Sequence, residues 1–312
     1  MHSTIKTPSR SQAEYSSIIE MPSHLSIEAA AEQVAGDLYG VFRFTGKGKW
    51  RRFTPDGASG QSGYIGLLGD TTAVVGDWRD AQRLVVLVDD ADDDITRTEK
   101  RQQAQLEAQR QRDQWEAERI AKQAEIAVQA RHWWASAKPA DIAHPYLIKK
   151  QLRPYGLRQR GNALLVPLYV DGELINLERI FPDGAKRPLP GGRVKGAASL
   201  IGRIAGAQRV MVAEGWATGA ALYASTGCPV VVARNADNLE PVARRLRQRL
   251  PEEVTITIAA DDDRFTDGNP GMSKARIAAL AIGGKLLTPT FCDRCESCTD
   301  FADVALCRKG GV

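Results

Sequence analysis

Two short runs decide how this chain is read: RVMVAEGWATG at 209–219 and VTITIAADDD at 254–263. Each opens as an apolar, β-branched strand and stops on carboxylates. Glu214 ends the first, and Asp261, Asp262 and Asp263 end the second. Around them, apolar runs alternate with helical stretches: ATGAALYAST, CPVVVAR, NLEPVARRLRQRL, MSKARIAALAIGG and KLLTP. That alternation predicts parallel βαβ units with right-handed crossovers. Strands that are apolar throughout predict a sheet covered on both faces.

Ligands of such sheets gather beyond the carboxyl ends of the strands. If the two strands are neighbours, Glu214 and the triplet face one crevice. Two carboxylates ~4 Å apart repel by about 4 kcal/mol at an effective dielectric near 20, and a cation relieves that repulsion. Hard oxygen donors without a nearby histidine favour Mg²⁺ over zinc. Gly215 permits a sharp turn and close approach of backbone to a phosphate. Asn269-Pro270-Gly271, Ser273 and Lys274 open the next helix, where free N–H groups and a lysine suit an anion.

Moving toward the N-terminus, charge becomes informative. The chain of 312 residues carries 42 Lys and Arg against 38 Asp and Glu, a net charge of only +4, yet the positive charge is concentrated. From His144 to Arg209 there are twelve basic residues and four acidic ones, a footprint suited to a polyanion. Asp171-Gly172 and Asp183-Gly184 break the same region into hairpins, so it reads as basic antiparallel sheet.

Before it, 96–137 holds strong helix formers with few apolar positions and no Gly or Pro, and reads as a solvated helical linker. Residues 26–40 predict a helix capped by Ser26, with Ala30, Val34 and Leu38 on one stripe. The stretch that follows is Gly-, Thr- and Val-rich and predicts short strands. In it Lys47, Lys49, Arg51 and Arg52 flank Trp50 and Phe53, a mixture suited either to single-stranded nucleic acid or to a small β core with a basic edge.

Composition excludes other classes. A chain 43% hydrophobic and 26% charged is neither disordered nor fibrous. No apolar run reaches the ~18 residues of a bilayer span, and no secretion signal is evident. Five cysteines, three of them within seven residues, argue against a secreted disulfide scaffold and for a reducing, cytoplasmic setting.

EGWATG at 214–219 resembles the EGYATA signature of plasmid- and satellite-phage-type DNA primases that carry a Toprim catalytic domain. HPYLIKKQL (144–152), LLVPLYVDGELINLERIFPDGAKRPLPGG (164–192), ARNADNLEPVARRLR (233–247) and TDFADV (299–304) follow in that family's order, and GKWRRF and VVGDWR resemble its N-terminal segment. Trp216 and Gly219 stand where the family has tyrosine and alanine.

The resemblance implies an α/β fold. It places a Toprim-like parallel sheet flanked by helices at 207–312, a basic β-rich primase subdomain at 141–206, a helical linker at 96–140 and a small α+β module at 1–95. It further implies that Glu214, Asp261 and Asp263 are catalytic and bind Mg²⁺ (or Mn²⁺), with Asp300 and Asp303 joining the metal network. Arg179, Lys186 and Arg187 are expected to grip nucleotide or template phosphates, with Gly215 and Lys274 beside them.

The implied activity is stand-alone synthesis of short RNA primers for plasmid or phage replication. The expected partners are a single-stranded DNA template, ribonucleoside triphosphates and a separate replicative helicase. Two rival readings are a Toprim nuclease and a non-catalytic accessory protein that binds single-stranded DNA. No Walker motif occurs, so no ATP-driven motor is expected. Finally, Cys292, Cys295, Cys298 and Cys307 form C-x2-C-x2-C-x8-C, which suits a structural zinc, an iron–sulfur cluster or simply reduced thiols.

Overall fold

The computed structural model describes residues 17–40, 43–45, 48–58, 60–77, 82–293 and 296–308. The chain divides into two compact units, Met1–Glu118 and Arg119–Val312.

In the first unit, β1 (Ser17–Pro22) leads to α1 (Ile27–Tyr39), then β2 (Trp50–Phe53), β3 (Gly63–Leu67), β4 (Thr72–Asp77) and β5 (Arg83–Val88). The strands lie in the order β1-β5-β4-β3-β2. β1 runs parallel to β5, and the other pairs are antiparallel. Ser26 caps α1 by accepting from the Ala29 N–H at 3.1 Å, which satisfies one of the helix's unpaired donors. Ala30, Ala31, Val34 and Ala35 are buried against the sheet, whereas Leu38 turns outward. Arg51 ion-pairs with both Glu28 and Glu32, Phe53 is core, and Trp50 packs on Tyr64 and Trp115. Arg51 and Phe53 are thus part of the unit's own packing, whereas Trp50, although it touches two rings, stays 40% exposed. Lys47 lies outside the described residues.

The long helix α2 (Asp94–Ser136) spans the division between units. Ala104 and Ala108 join a core with Tyr64, Val74 and Leu84 in the first unit. In the second, Ile126 and Ala130, backed by Trp133 and Trp134, pack on Leu165, Leu177 and Leu189. The helix is therefore anchored by small or apolar residues at both ends, beyond the solvated linker read from its composition.

The second unit holds two five-stranded sheets. The first is antiparallel: β6 (Lys138–Pro139), β7 (Arg158–Arg160), β8 (Ala163–Val170), β9 (Glu173–Ile180) and β10 (Lys186–Pro188), with α3 (Pro145–Lys150) between β6 and β7. Asp171 and Gly172 both take positive φ, 56° and 84°, and close the β8–β9 hairpin as an Asp-Gly pair should.

The second sheet is built from β11 (Ser199–Ile201), β12 (Arg209–Ala213), α4 (Trp216–Thr226), β13 (Val230–Val232), α5 (Leu239–Arg249), β14 (Thr255–Ala259), α6 (Pro270–Ala281), β15 (Lys285–Leu287) and α7 (Phe301–Arg308). Its order is β11-β13-β12-β14-β15, parallel except at β11. Alternate residues of each strand face opposite ways. Val210, Val212, Ile256 and Ile258 pack with α5 and α6, while Met211, Ala213 and Ala259 pack with α4 and with Leu164, Val166 and Ile180 of the antiparallel sheet. Asn238, buried, donates to the carbonyls of Ala197 (2.8 Å) and Ala233 (2.7 Å) and accepts from the Gly196 N–H (2.7 Å), tying the segment before β11 to the end of β13.

Candidate metal centre

β12 and β14 are neighbouring parallel strands with Ala213 level with Ala259. Glu214 therefore leaves one strand and Asp261 the other at the same edge of the sheet. The helix that follows β12 begins on Trp216, which is fully buried, so the turn carrying Glu214 rests on a solid floor. Glu214 Oε2 is buried and has no hydrogen-bond partner. Burial, reinforced by the Asp263 carboxylate, pushes the Glu214 carboxyl up to about 7, against the pull of the Ala236 N–H and the Lys186 ammonium. Burial again, then the charges of Asp300 and Glu214, push Asp261 up to about 8, although the Thr218 hydroxyl donates to its Oδ1 at 3.3 Å. Asp261 thus lies within the fields of Glu214, Asp263 and Asp300, and Glu214 within that of Asp263.

Local structure aims the remaining acids. The Gly271 N–H, in the first turn of α6, donates to Asp263 Oδ2 at 2.8 Å. A side chain at Gly271 would put its Cβ 2.7 Å from the Asp261 carbonyl oxygen and 2.8 Å from Asp263 Oδ2. Asn269, at φ 40°, caps α6, and its Nδ2 holds Asp262 by Oδ1 at 2.6 Å, turning that middle acid into the loop. Asp300 Oδ1 accepts from the Asp303 N–H at 2.8 Å at the start of α7. Asp303 itself is held by Lys150 Nζ at 2.9 Å and by the Thr299 N–H at 3.1 Å. Burial would raise its carboxyl, but these partners keep it below the usual range. Of the two C-terminal acids, Asp300 belongs to the acidic group and Asp303 is committed to Lys150.

The basic strands divide in a way that the linear sequence conceals. Lys186 is paired with Ile180, and Arg187 with Arg179. Strand alternation puts Lys186 on the face of Ile180 and Glu178, toward the parallel sheet, and Arg179 and Arg187 together on the other face. Lys186 Nζ lies 3.5 Å from where a Cβ on Gly215 would stand. Arg179 donates to the Pro188 carbonyl at 3.3 Å, and both arginines lie over the Phe181 ring, at 5.7 and 5.9 Å. Gly215 is the extended N-cap of α4, at φ −98°, so no left-handed turn is needed there. Lys274 pairs with Asp237 at 2.9 Å.

Glu178 and Arg234 are the residues that sequence reasoning missed. Glu178, 2% exposed, pairs with Arg234 Nε at 3.1 Å, and burial raises its carboxyl despite Arg234 and Lys186. A glutamate within an alternating strand carries no local sign of burial. The positive φ of Arg234, 80°, marks a tight backbone just beyond β13 that sequence does not announce.

Cys292 Sγ lies 3.2 Å from Cys307 Sγ, and Cys298 and Cys307 share a small buried cluster with Phe291. Cys295 lies outside the described residues. Among the described residues, no three His, Cys, Asp or Glu side chains are already gathered tightly enough to hold an ion. The acid set nevertheless fits a divalent cation. A buried carboxylate oxygen lacks any donor, and two carboxyls are held at or above neutrality by burial and by each other, a charge conflict that a hard cation on oxygen ligands resolves.

Residues 209–310, which hold the parallel sheet and the acids beyond the ends of its two adjacent strands, match the family model described as "Toprim domain". Two curated relatives are each called DNA primase TraC, from Escherichia coli. One is 33% identical over 199 residues, covering 60% of this chain and 18% of that protein. The other is 33% identical over 168 residues, covering 50% and 12%. The chain spans less than a fifth of the length of these relatives. Among solved structures, the RNA polymerase domain of Mycobacterium tuberculosis primase DnaG aligns at TM-score 0.40 with 17% identity, covering 62% of this chain and 80% of that one. Among the described residues, no helix is long and apolar enough to cross a membrane.

Proposed function

We propose that this chain is a DNA primase that synthesises short RNA primers on single-stranded DNA by divalent-metal-dependent nucleotidyl transfer, in the service of plasmid or phage replication. The observation that carries this reading is the pairing of Glu214 and Asp261 at the ends of adjacent strands β12 and β14, with a donorless buried oxygen on Glu214. The resemblance of the sequence to Toprim primases and the partial match to the TraC relatives support the same assignment.

Glu214, Asp261, Asp263 and Asp300 would hold Mg²⁺ or Mn²⁺. Bound there, such an ion would supply charge neutralisation for a triphosphate and acidify a 3′-hydroxyl. The chain's own residues prepare that edge. Thr218 and the Gly271 N–H fix the orientation of Asp261 and Asp263. Trp216 and its apolar neighbours exclude water from beneath. Lys186 supplies positive charge on the side where a triphosphate would approach. Single-stranded DNA and ribonucleoside triphosphates are the partners this reading assigns, with a separate helicase to open the duplex.

The test is incubation with a single-stranded template, labelled ribonucleotides and Mg²⁺ or Mn²⁺, resolved on a denaturing gel. Short RNA that disappears with Glu214→Gln or Asp261→Asn is the expected result. A shortened template points instead to a nuclease, and a bound but unchanged template to an accessory binding protein. Either outcome overturns the primase assignment.

A further inference from the structure

The segment between β15 and α7 has a core of its own. Cys298 and Cys307 are 2% and 4% exposed and pack together against Phe291, apart from the larger apolar clusters of the unit. Cys292, nearer the surface, reaches in so that its Sγ lies 3.2 Å from that of Cys307. A disulfide requires ~2.05 Å between sulfurs. The observed spacing is therefore a contact between two thiols, not a disulfide. Two thiolates on a tetrahedral zinc ion, each at about 2.3 Å from the metal, stand roughly 3.8 Å apart, so the pair opens by about half an ångström to admit the ion.

α7 itself is tied to the larger core by Ala302, with Phe301 and Ala305 beside it, and the cysteine cluster adds a second, small point of attachment for the segment that leads into the helix. The segment also has a place to keep. The Thr299 carbonyl accepts from the Asp262 N–H at 2.7 Å, directly beyond β14, and the next residue is Asp300, whose charge is felt by Asp261. Whatever fixes the cysteines to α7 therefore fixes Asp300 against the acid set.

We propose that Cys292, Cys298 and Cys307 bind a structural zinc ion that pins this segment between β15 and α7 and holds Asp300 beside Asp261. The sulfurs are not yet gathered around a common point, so ion binding completes the site, releasing thiol protons as it does so. Cysteine thiolates select zinc over the magnesium suited to the carboxylates a few residues away. The site stands independently of the primase reading. Only its consequence for Asp300 rests on that reading.

The experiment is elemental analysis of this 312-residue chain purified from zinc-supplemented cells, with thiol counting before and after a chelator removes the metal. About one zinc per chain is expected, the three thiolates serving a single ion. Cys292→Ser, which changes the most exposed of the three and leaves the buried pair to fold, is expected to lower zinc occupancy at least several-fold. Cys298→Ser is expected to do the same, and Cys228→Ser to leave it unchanged.

A zinc-free chain whose thiols all react at once overturns the proposal. So does a Cys292–Cys307 disulfide found by non-reducing mass spectrometry, or full zinc occupancy in both serine variants. Primer synthesis is read separately on the same preparations. One bound zinc without primers supports this site and sinks the primase reading; primers from a zinc-free chain do the reverse.

Discussion

At the scale of single residues, Glu214 is the side chain on which most depends. Its buried Oε2 has no donor, and its carboxyl is held near neutrality by burial. Glutamine keeps the shape and removes the charge. Residues that merely orient a metal ligand cost about 10–100-fold when removed, so losing a ligand should exceed the upper figure. Glu214→Gln is therefore expected to lower primer synthesis by more than about a hundredfold while template binding in a filter or anisotropy assay stays near wild type. Substantial residual synthesis would remove Glu214 from the metal set. Gly219 makes a different argument. A Cβ there would stand 2.7 Å from Cγ2 of Val232, a buried β-branched side chain with no room to retreat. Alanine, the residue at this place in the family signature, would gain helix propensity of about 1 kcal/mol and lose about 1–3 kcal/mol to overpacking. Gly219→Ala is expected to lower the thermal midpoint; an unchanged or raised midpoint would show that β13 yields.

At the scale of elements, the first turn of α6 positions Asp263. Its Gly271 N–H reaches the carboxylate, and the missing side chain lets the helix approach the Asp261 carbonyl. Gly271→Ala should push the helix start away from both acids. The expected outcome is a several-fold rise in the Mg²⁺ concentration needed for half-maximal primer synthesis, with less effect on the nucleotide requirement. An equal loss at saturating Mg²⁺ would indicate general damage instead. The elements themselves were largely legible. The strands RVMVA and TITIA, the Asp-Gly hairpin and the Ser26 cap all follow local rules of periodicity and turn chemistry, and the structure contains each. What sequence could not supply was lateral information. Lys186, Arg179 and Arg187 read as one basic group, yet register with β9 sends Lys186 to one face and the arginines to the other. The pairing of Glu178 with Arg234, residues 56 apart in number, exists only because two sheets share a core. Arg51 reads either as a nucleic-acid contact or as the edge of a small β core, and only the fold shows that Glu28 and Glu32 of α1 pair with it.

At the scale of the whole molecule, the acid set links metal binding to folding. In the unfolded chain Glu214 and Asp261 titrate near their ordinary values of 4.5 and 3.8, whereas in the fold they titrate at about 7 and about 8. Between those limits the native state binds more protons than the unfolded state, so stability falls as pH rises. The stabilisation is complete below the unfolded values and is lost once pH passes through the folded ones. For metal-free protein, the unfolding free energy from denaturant titration is expected to fall steadily from about pH 5 to about pH 8.5. Mg²⁺ binds only the ionised native site and stabilises it by mass action, so its addition should restore stability above neutrality and do little near pH 5. Removing one of the conflicting charges with Glu214→Gln should flatten the metal-free profile and blunt the response to Mg²⁺, making the variant more stable than wild type at alkaline pH even as it loses catalysis. Parallel pH profiles with and without Mg²⁺ would mean that the carboxylates of β12 and β14 do not share an ion, and the catalytic reading of this edge would fail with them.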